Sequence, residues 1–306
     1  MPNSPIVIFG FNRPFHLERL LESLVKNAET KDSLIYFFID GPRNLNEQKI
    51  VESVNQVAER FAKNYDVKID WSNKNLGLSK SVLRGVDQVF ESHERAIVLE
   101  DDLVIGRYFL EFCNDGLEKY QTDERVGTIQ GYSQVELGSG KPYFLPGADC
   151  WGWATWKDRW ELLNRNSEEL LYELEKRNKT FSFDLQGSYP YTNMLKREAR
   201  GEVDSWAIRW HASMFLANKF SLCPGISLIQ NSGFDGSGTH PSQITIDAST
   251  PYEHRMELPR FAPKIEPKVI RLVIRAIRRK YRIYPSYHPL RFYYALKRRT
   301  LKLFQG

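Results

Sequence analysis

Through residue 105 the chain alternates short apolar runs with segments of helical spacing. Pro5–Phe11, Leu34–Ile39 and Ala96–Leu99 are apolar without polar alternation, as strands buried on both faces are; Val67–Trp71 is a further short strand. Between them, Phe15–Lys26 places Leu17, Leu20, Leu21 and Leu24 on one helical face, and Asn46–Lys63 does the same with Val51, Val54, Val57 and Phe61. Ser79 is placed to cap a third helix running through Phe90. The connections are short. This βαβαβαβ order predicts an α/β fold: a mostly parallel twisted sheet with helices on both faces. In such sheets ligands bind beyond the carboxyl ends of the strands.

Polar residues at those ends are therefore the first site candidates: Asn12 and Arg13 after the first strand, Asp40 after the second, and Glu100, Asp101 and Asp102 after the fourth. A buried carboxylate without a partner costs several kcal/mol or takes up a proton. Three acids at the end of a buried strand are most simply held by a cation. Hard oxygen ligands suit Mg²⁺ or Mn²⁺, and those ions suit a diphosphate. The plainer alternative is a solvated acidic turn. Neither GxGxxG nor GxxxxGK[ST] follows the first strand, which disfavours NAD-type and P-loop enzymes.

Downstream, Arg107–Gln121 is helical in spacing, Val126–Gly131 is strand-like and Gly138–Gly147 reads as loop. Four of the seven tryptophans lie between Trp151 and Trp160. Trp156 and Trp160, four apart, are expected to anchor a helix to the sheet. Trp151 and Trp153, in the Gly-containing stretch before it, are the candidates for holding a sugar ring of the acceptor. Residues 167–200 look like an insertion over one edge of the site. Asp204 precedes a helix and is an N-cap on the plainest view. A return through Phe220–Pro224 leads to a Gly-rich loop, Asn231–His240, that can deliver one imidazole to a ligand.

With 306 residues, 42% hydrophobic and 26% charged, the chain suits one large α/β domain or two smaller ones. No apolar run approaches the roughly 20 residues that span a bilayer. Pro2–Gly10 is too short and lacks the basic start of a secretory signal. Cys113, Cys150 and Cys223 are odd in number and far apart, which argues against a disulfide framework and a zinc site. The net charge of +5 divides unevenly. Of 43 Lys and Arg, 13 lie in residues 264–306, against one of the 38 acids, so the tail carries +12 and the body −7. Lys268, Arg271, Arg275, Arg278, Arg279 and Arg282 share about 100° of a helical wheel. A basic amphipathic tail with an acidic body and no nucleic-acid motif points to an anionic membrane surface rather than nucleic acid. The alternative is a helix that packs its apolar side on the domain.

Pro5–Pro14 (PIVIFGFNRP), Phe38–Gly41 (FIDG), Asn75–Leu78 (NLGL), Val98–Asp102 (VLEDD) and Cys150–Trp156 (CWGWATW) together, in this order, resemble GT-A fold glycosyltransferases. The likeness is nearest to bacterial family-2-type sugar transferases, and the Glu-Asp-Asp context also resembles the N-acetylglucosaminyltransferase I type. It covers roughly residues 4 to 245. The organisation it implies is a nucleotide-sugar-binding half at 1–130, an acceptor-binding half of the same domain at 131–262, and the basic helical tail at 263–306. The resemblance further implies a nucleotide-sugar donor, UDP-linked by preference, and Mn²⁺ or Mg²⁺. Asp102 and His240 would meet the metal, and Glu100 and Asp101 the ribose or donor sugar. Asp40 would bond the base, while Phe9, Phe11 and Arg13 line the nucleotide. Related sequences carry an acid where this chain has Ala207, so Asp204 is the expected base, with Asp149 and Asp158 as alternatives. The expected activity is an inverting, metal-dependent transfer to a glycan or lipid-linked acceptor in bacterial surface polysaccharide synthesis. It would take place in the cytoplasm, peripheral on the inner membrane face. The competing readings are a sugar-phosphate nucleotidyltransferase and a non-catalytic glycan- or membrane-binding module.

Overall fold

The computed structural model describes residues 2–137, 140–233 and 250–281. The first half runs β1 (Ile6–Gly10), α1 (Pro14–Leu24), β2 (Ile35–Ile39), α2 (Gln48–Ala62), β3 (Val67–Trp71), α3 (Leu78–Phe90), β4 (Arg95–Glu100), β5 (Leu103–Ile105), α4 (Phe109–Lys119) and β6 (Val126–Gln130). The second runs β7 (Tyr143–Pro146), β8 (Trp153–Trp156), α5 (Lys157–Trp160), α6 (Ser167–Lys176), α7 (Thr180–Phe183), α8 (Tyr191–Ala199), α9 (Trp206–Leu216), β9 (Phe220–Cys223), β10 (Ile229–Asn231) and α10 (Pro267–Tyr281).

Eight strands form one sheet in the order β3-β2-β1-β4-β8-β6-β9-β7. The β3, β2, β1 and β4 pairs are parallel, as is β6 with β9; β8 and β7 run against their neighbours. The expected α/β sheet is therefore what the chain forms. Its apolar strands leave two unsatisfied faces, and each is covered. Leu17, Leu20, Val54 and Phe112, from α1, α2 and α4, pack on Ile6, Phe37 and Ile97. Val82, Val86 and Trp210, from α3 and α9, pack on Val7, Phe38 and Val98 on the other side. Each fully buried side chain of this size stabilises by about 1.5–3 kcal/mol relative to exposure. Pro14 starts α1 at the one position where its missing N–H is harmless.

Register brings the three strand ends together. Phe9 stands beside Phe38 on one flank and Glu100 on the other. The ladder continues one step past the strands: Asp40 N–H donates to the Gly10 carbonyl and Asp101 N–H to the Phe9 carbonyl, both at 2.9 Å. A second, two-stranded ribbon pairs β5 antiparallel with β10 and lays residues 231–233 over Asp102.

Several local expectations change. Residues 143–146, expected as loop, are β7, paired antiparallel with β9 at the sheet edge. An edge strand tolerates Pro146. Trp156 ends β8 rather than lying on a helix with Trp160. Trp153 is 1% exposed and sits in an interior group with Trp160, Trp206 and Trp210, at 5.1–5.7 Å between ring centroids. It is a core residue, because alternation along β8 turns it under α3 and α9, and it does not reach a ligand. The apolar side of α10 is occupied: Val269, Val273, Ile274 and Ile277 pack on Tyr143, Leu145, Leu185 and Cys223. Lys268, Arg271, Arg275 and Arg279 remain exposed on its outer side. Among the described residues no helix is long and apolar enough to cross a membrane. His240 and residues 282–306 of the tail lie outside the described residues.

Candidate active site

A cavity of about 800 Å³ opens at the carboxyl ends of β1, β2 and β4. Phe9, Phe11, Arg13, Asp40, Glu100, Asp101 and Asp102, all expected donor-side or metal residues, line it together.

Its floor is the acid cluster. Asp101 Oδ2 accepts a 3.3 Å hydrogen bond from the Phe11 N–H. Arg13 Nη1 donates to Asp102 Oδ2 at 3.1 Å. The other oxygen, Asp102 Oδ1, is buried with no hydrogen-bond partner among the described residues. Burial, then the charges of Asp102 and Asp101, pushes the Glu100 carboxyl well above its ordinary range. Burial and the Asp102 charge push Asp101 up to about 7. Asp102 is also raised by burial, against the pull of Arg13. Three carboxyls thus lie together, with the Arg13 guanidinium and the His16 side chain favouring the charged form of Asp102.

That environment fits a divalent cation. The donors are hard oxygens, and one of them is buried without a partner among the described residues. Among those residues no group of three or more His, Cys, Asp or Glu is placed to hold a metal ion by itself. An ion of the Mg²⁺ class asks for less, since it is commonly bound through one or two carboxylates plus substrate phosphates and water. The Gly233 backbone passes close to the cluster: a Cβ there would fall 2.2 Å from Asp102 Oδ2, so a larger residue would displace that carboxylate. Ser232 fixes that passage by donating from its N–H (2.7 Å) and Oγ (2.9 Å) to the Asp102 carbonyl.

Asp40 lies in the wall but does other work. Its Oδ1 accepts from the N–H groups of Gly41 (2.9 Å) and Leu76 (2.8 Å). Its Oδ2 accepts from Asn75 Nδ2 (3.1 Å) and the Gly77 N–H (2.9 Å). Two bonds per oxygen use the usual capacity of a carboxylate. Asp40, expected to meet the base, thus holds the loop that leads into α3.

Asp204 is not in the cavity wall. Its side chain is 57% exposed and pairs with Arg209 at 3.4 Å, although its neighbours Ser205 and Ala207 do line the cavity. Asp158 also lies elsewhere, exposed and paired with the buried Arg159. Asp149 does line it. Its Oδ2 accepts from Gln134 Nε2 at 2.8 Å, and its Oδ1 from the Cys150 N–H at 2.7 Å. Of the two candidates expected beside a sugar ring, Trp151 is in the wall and Trp153 is not.

Sequence reasoning missed His211 and four tyrosines. His211 is buried in the wall, Nδ1 lying 2.7 Å from the Ala148 carbonyl, with Nε2 unpartnered among the described residues. Burial holds its pKa below the ordinary value, so the imidazole is neutral at pH 7. Gly147, at φ +81°, leaves the space this ring fills: a Cβ there would be 2.6 Å from it. Tyr132, Tyr189, Tyr191 and Tyr281 complete the far wall. None belongs to a motif; only tertiary packing brings them together.

No family model matches the chain. Among solved structures it is similar to a UDP-glucose pyrophosphorylase complexed with UDP-glucose, at 12% identity over 52% of this chain and 79% of that one, TM-score 0.33. It is also similar to a mannose-1-phosphate geranyltransferase from Thermus thermophilus, at 13% identity over 76% of each chain, TM-score 0.39. Likeness this distant decides neither a family nor an activity; the chain's own residues have to.

Proposed function

We propose that the chain is a GT-A type, metal-dependent glycosyltransferase that moves a sugar from a nucleotide-sugar donor to a saccharide or lipid-linked acceptor. The observation that carries this is Asp102 Oδ1, buried and, among the described residues, unpartnered beside two further acids on the cavity floor. A solvated acidic turn would not be buried, and a purely structural cluster would have its charges paired.

Asp102 is the residue to hold Mg²⁺ or Mn²⁺, which when bound neutralises charge on the departing diphosphate. Arg13 holds Asp102 in place through its 3.1 Å ion pair. Glu100 and Asp101 line the donor side, and their raised pKa values equip them to donate as well as accept hydrogen bonds toward hydroxyls. Asp149 replaces Asp204 as the base: it is the acid of the far half of the wall, and Gln134 fixes its orientation. Its carboxylate takes the proton of the acceptor hydroxyl as that oxygen forms the new bond to the anomeric carbon. The bond from that carbon to the diphosphate breaks, and the nucleoside diphosphate leaves. One base and in-line attack invert the anomeric centre.

The test is calorimetric titration with UDP, with and without Mn²⁺. Binding that needs the ion and is lost in Asp102→Ala is expected; UDP binding unchanged by EDTA sinks the proposal. Release of pyrophosphate from UTP and a sugar 1-phosphate would place the chain with the nucleotidyltransferases instead.

A further inference from the structure

The outer side of α10 carries a row of cations that no described acid answers. Lys268, Arg271, Arg275 and Arg279 are exposed and follow one another three or four residues apart, on one side of the helix. Among the described residues none of the four is ion-paired. The one acid of residues 264–281, Glu266, lies 3.9 Å from Lys264 instead. Like charges at this spacing repel one another, a cost that an outside anionic surface removes.

The helix that carries the row has no apolar side left to insert in a bilayer. Val269, Val273, Ile274 and Ile277 are buried against Tyr143, Leu145, Leu185 and Cys223. Arg278 pins the helix further: its Nε donates to Ser188 Oγ at 3.0 Å and its Nη2 to the Gln186 carbonyl at 3.1 Å. What faces outward is charge at fixed spacing. Contact through it is electrostatic and at headgroup level, unlike the insertion expected of a free amphipathic helix.

The place of α10 gives the row an orientation. The helix packs on β7 and β9, at one end of the eight-stranded sheet. On its inner side Ile277 and Tyr281 line the cavity. Ile277 stands about 160° round the helix from Arg275, so one helix diameter, about 10–12 Å, separates the row from the cavity wall. The donor-side residues sit at the ends of β1, β2 and β4, further across the sheet. A flat anionic surface meets the row alone. A polyanion that wraps, such as duplex DNA, also meets the body, whose net charge over residues 1–263 is −7.

We propose that the outer row of α10 docks the chain on an anionic lipid bilayer without insertion, and brings the half of the cavity walled by Tyr189, Tyr191 and Tyr281 nearest the lipid. On the glycosyl-transfer reading above, that is the half that receives the acceptor; the docking itself does not depend on that reading.

The full chain, labelled with 5-fluorotryptophan, is placed on phosphatidylserine-containing nanodiscs in which some headgroups carry a nitroxide. Trp151→Phe and Trp71→Phe assign the two resonances that matter. Trp151, whose ring centroid is 5.6 Å from Lys280 Nζ of α10, should be broadened. Trp71, 42% exposed on β3 at the opposite edge of the sheet, roughly 30 Å away along it, should stay sharp. About 0.5 M NaCl should release the chain, because screened surface charge holds it. Lys268→Gln with Arg275→Gln should weaken disc binding at least about tenfold, the loss of two surface-bound cations. Lys49→Gln with Lys63→Gln, an equal loss of charge at exposed positions on and just after α2, should change it less than about twofold. No binding to the discs, binding that survives the salt, equal broadening of Trp71 and Trp151, equal loss in both double variants, or tighter binding to duplex DNA than to the discs overturns the proposal. Broadening as expected in a chain that never binds UDP would uphold the docking surface and defeat the glycosyl-transfer reading.

Discussion

Replacing Asp101 by Asn should make the metal-free protein more stable at pH 8, and less so as the pH falls. Asp101 is buried on the cavity floor, and its carboxyl is pushed from 3.8 up to about 7, first by burial and then by the Asp102 charge. A carboxyl with a raised folded value leaves stability intact below its unfolded value and takes it away as pH rises through the folded one. The raised value costs about 4 kcal/mol at pH 8, where Asp101 is ionised in place, and about 2 kcal/mol at pH 5, where the fold holds it protonated. Asn removes that charge, keeps the shape and keeps an oxygen for the Phe11 N–H. The difference in stability between variant and parent should therefore shrink by about 2 kcal/mol from pH 8 to pH 5, or roughly 5 °C in Tm for a chain of this size. Thermal melts of both proteins in EDTA across that range measure it. Mn²⁺ with UDP should stabilise the parent by mass action and the variant less. A variant that is less stable at pH 8, or a gain that is flat with pH, would refute the account of an uncompensated acid cluster.

Asp149→Asn should retain UDP binding with Mn²⁺ and lower kcat about 10²–10⁴-fold, the usual contribution of a positioned base; Asp204→Asn should leave turnover within about twofold, since a surface pair of this kind contributes little. Equal loss in both variants would reject the reassignment. Trp153→Ala should cost about 3–5 kcal/mol by urea unfolding, because it opens a cavity among Trp160, Trp206 and Trp210, whereas Trp151→Ala should shift the midpoint far less. The exposed stripe on α10 should attract phosphatidylserine vesicles: Arg271→Glu with Arg275→Glu should weaken vesicle binding by at least about tenfold, on the basis of about 1 kcal/mol per basic residue. Vesicle binding that is unaffected would remove the membrane from the picture.

The first half of the chain was legible because its strands are apolar on both faces and its helices keep a clean period, so periodicity and topology point the same way. The convergence of Arg13, Asp40 and Glu100–Asp102 on one rim follows from that topology alone. The second half resisted for identifiable reasons. Glycines around β7 and Pro146 within it masked an edge strand whose only support is its pairing with β9. Trp153 looked like a ligand contact because tryptophan density was weighed without the alternation of β8, which turns that ring inward. The choice between Asp149 and Asp204 depends on which of two loops, before β8 or before α9, turns its acid into the cavity, and no local signal encodes that. His211 and the tyrosine wall are products of packing between segments up to 149 positions apart, Tyr132 to Tyr281.

Asp40 has a consequence for anyone altering donor choice. Because its two oxygens tether Gly41, Asn75, Leu76 and Gly77, a library varied at this position would sort clones by whether they fold, not by which nucleotide they prefer. The preference has to be sought in rings and main-chain groups nearby, beginning with Phe11, whose face lies 5.2 Å from the Arg43 guanidinium.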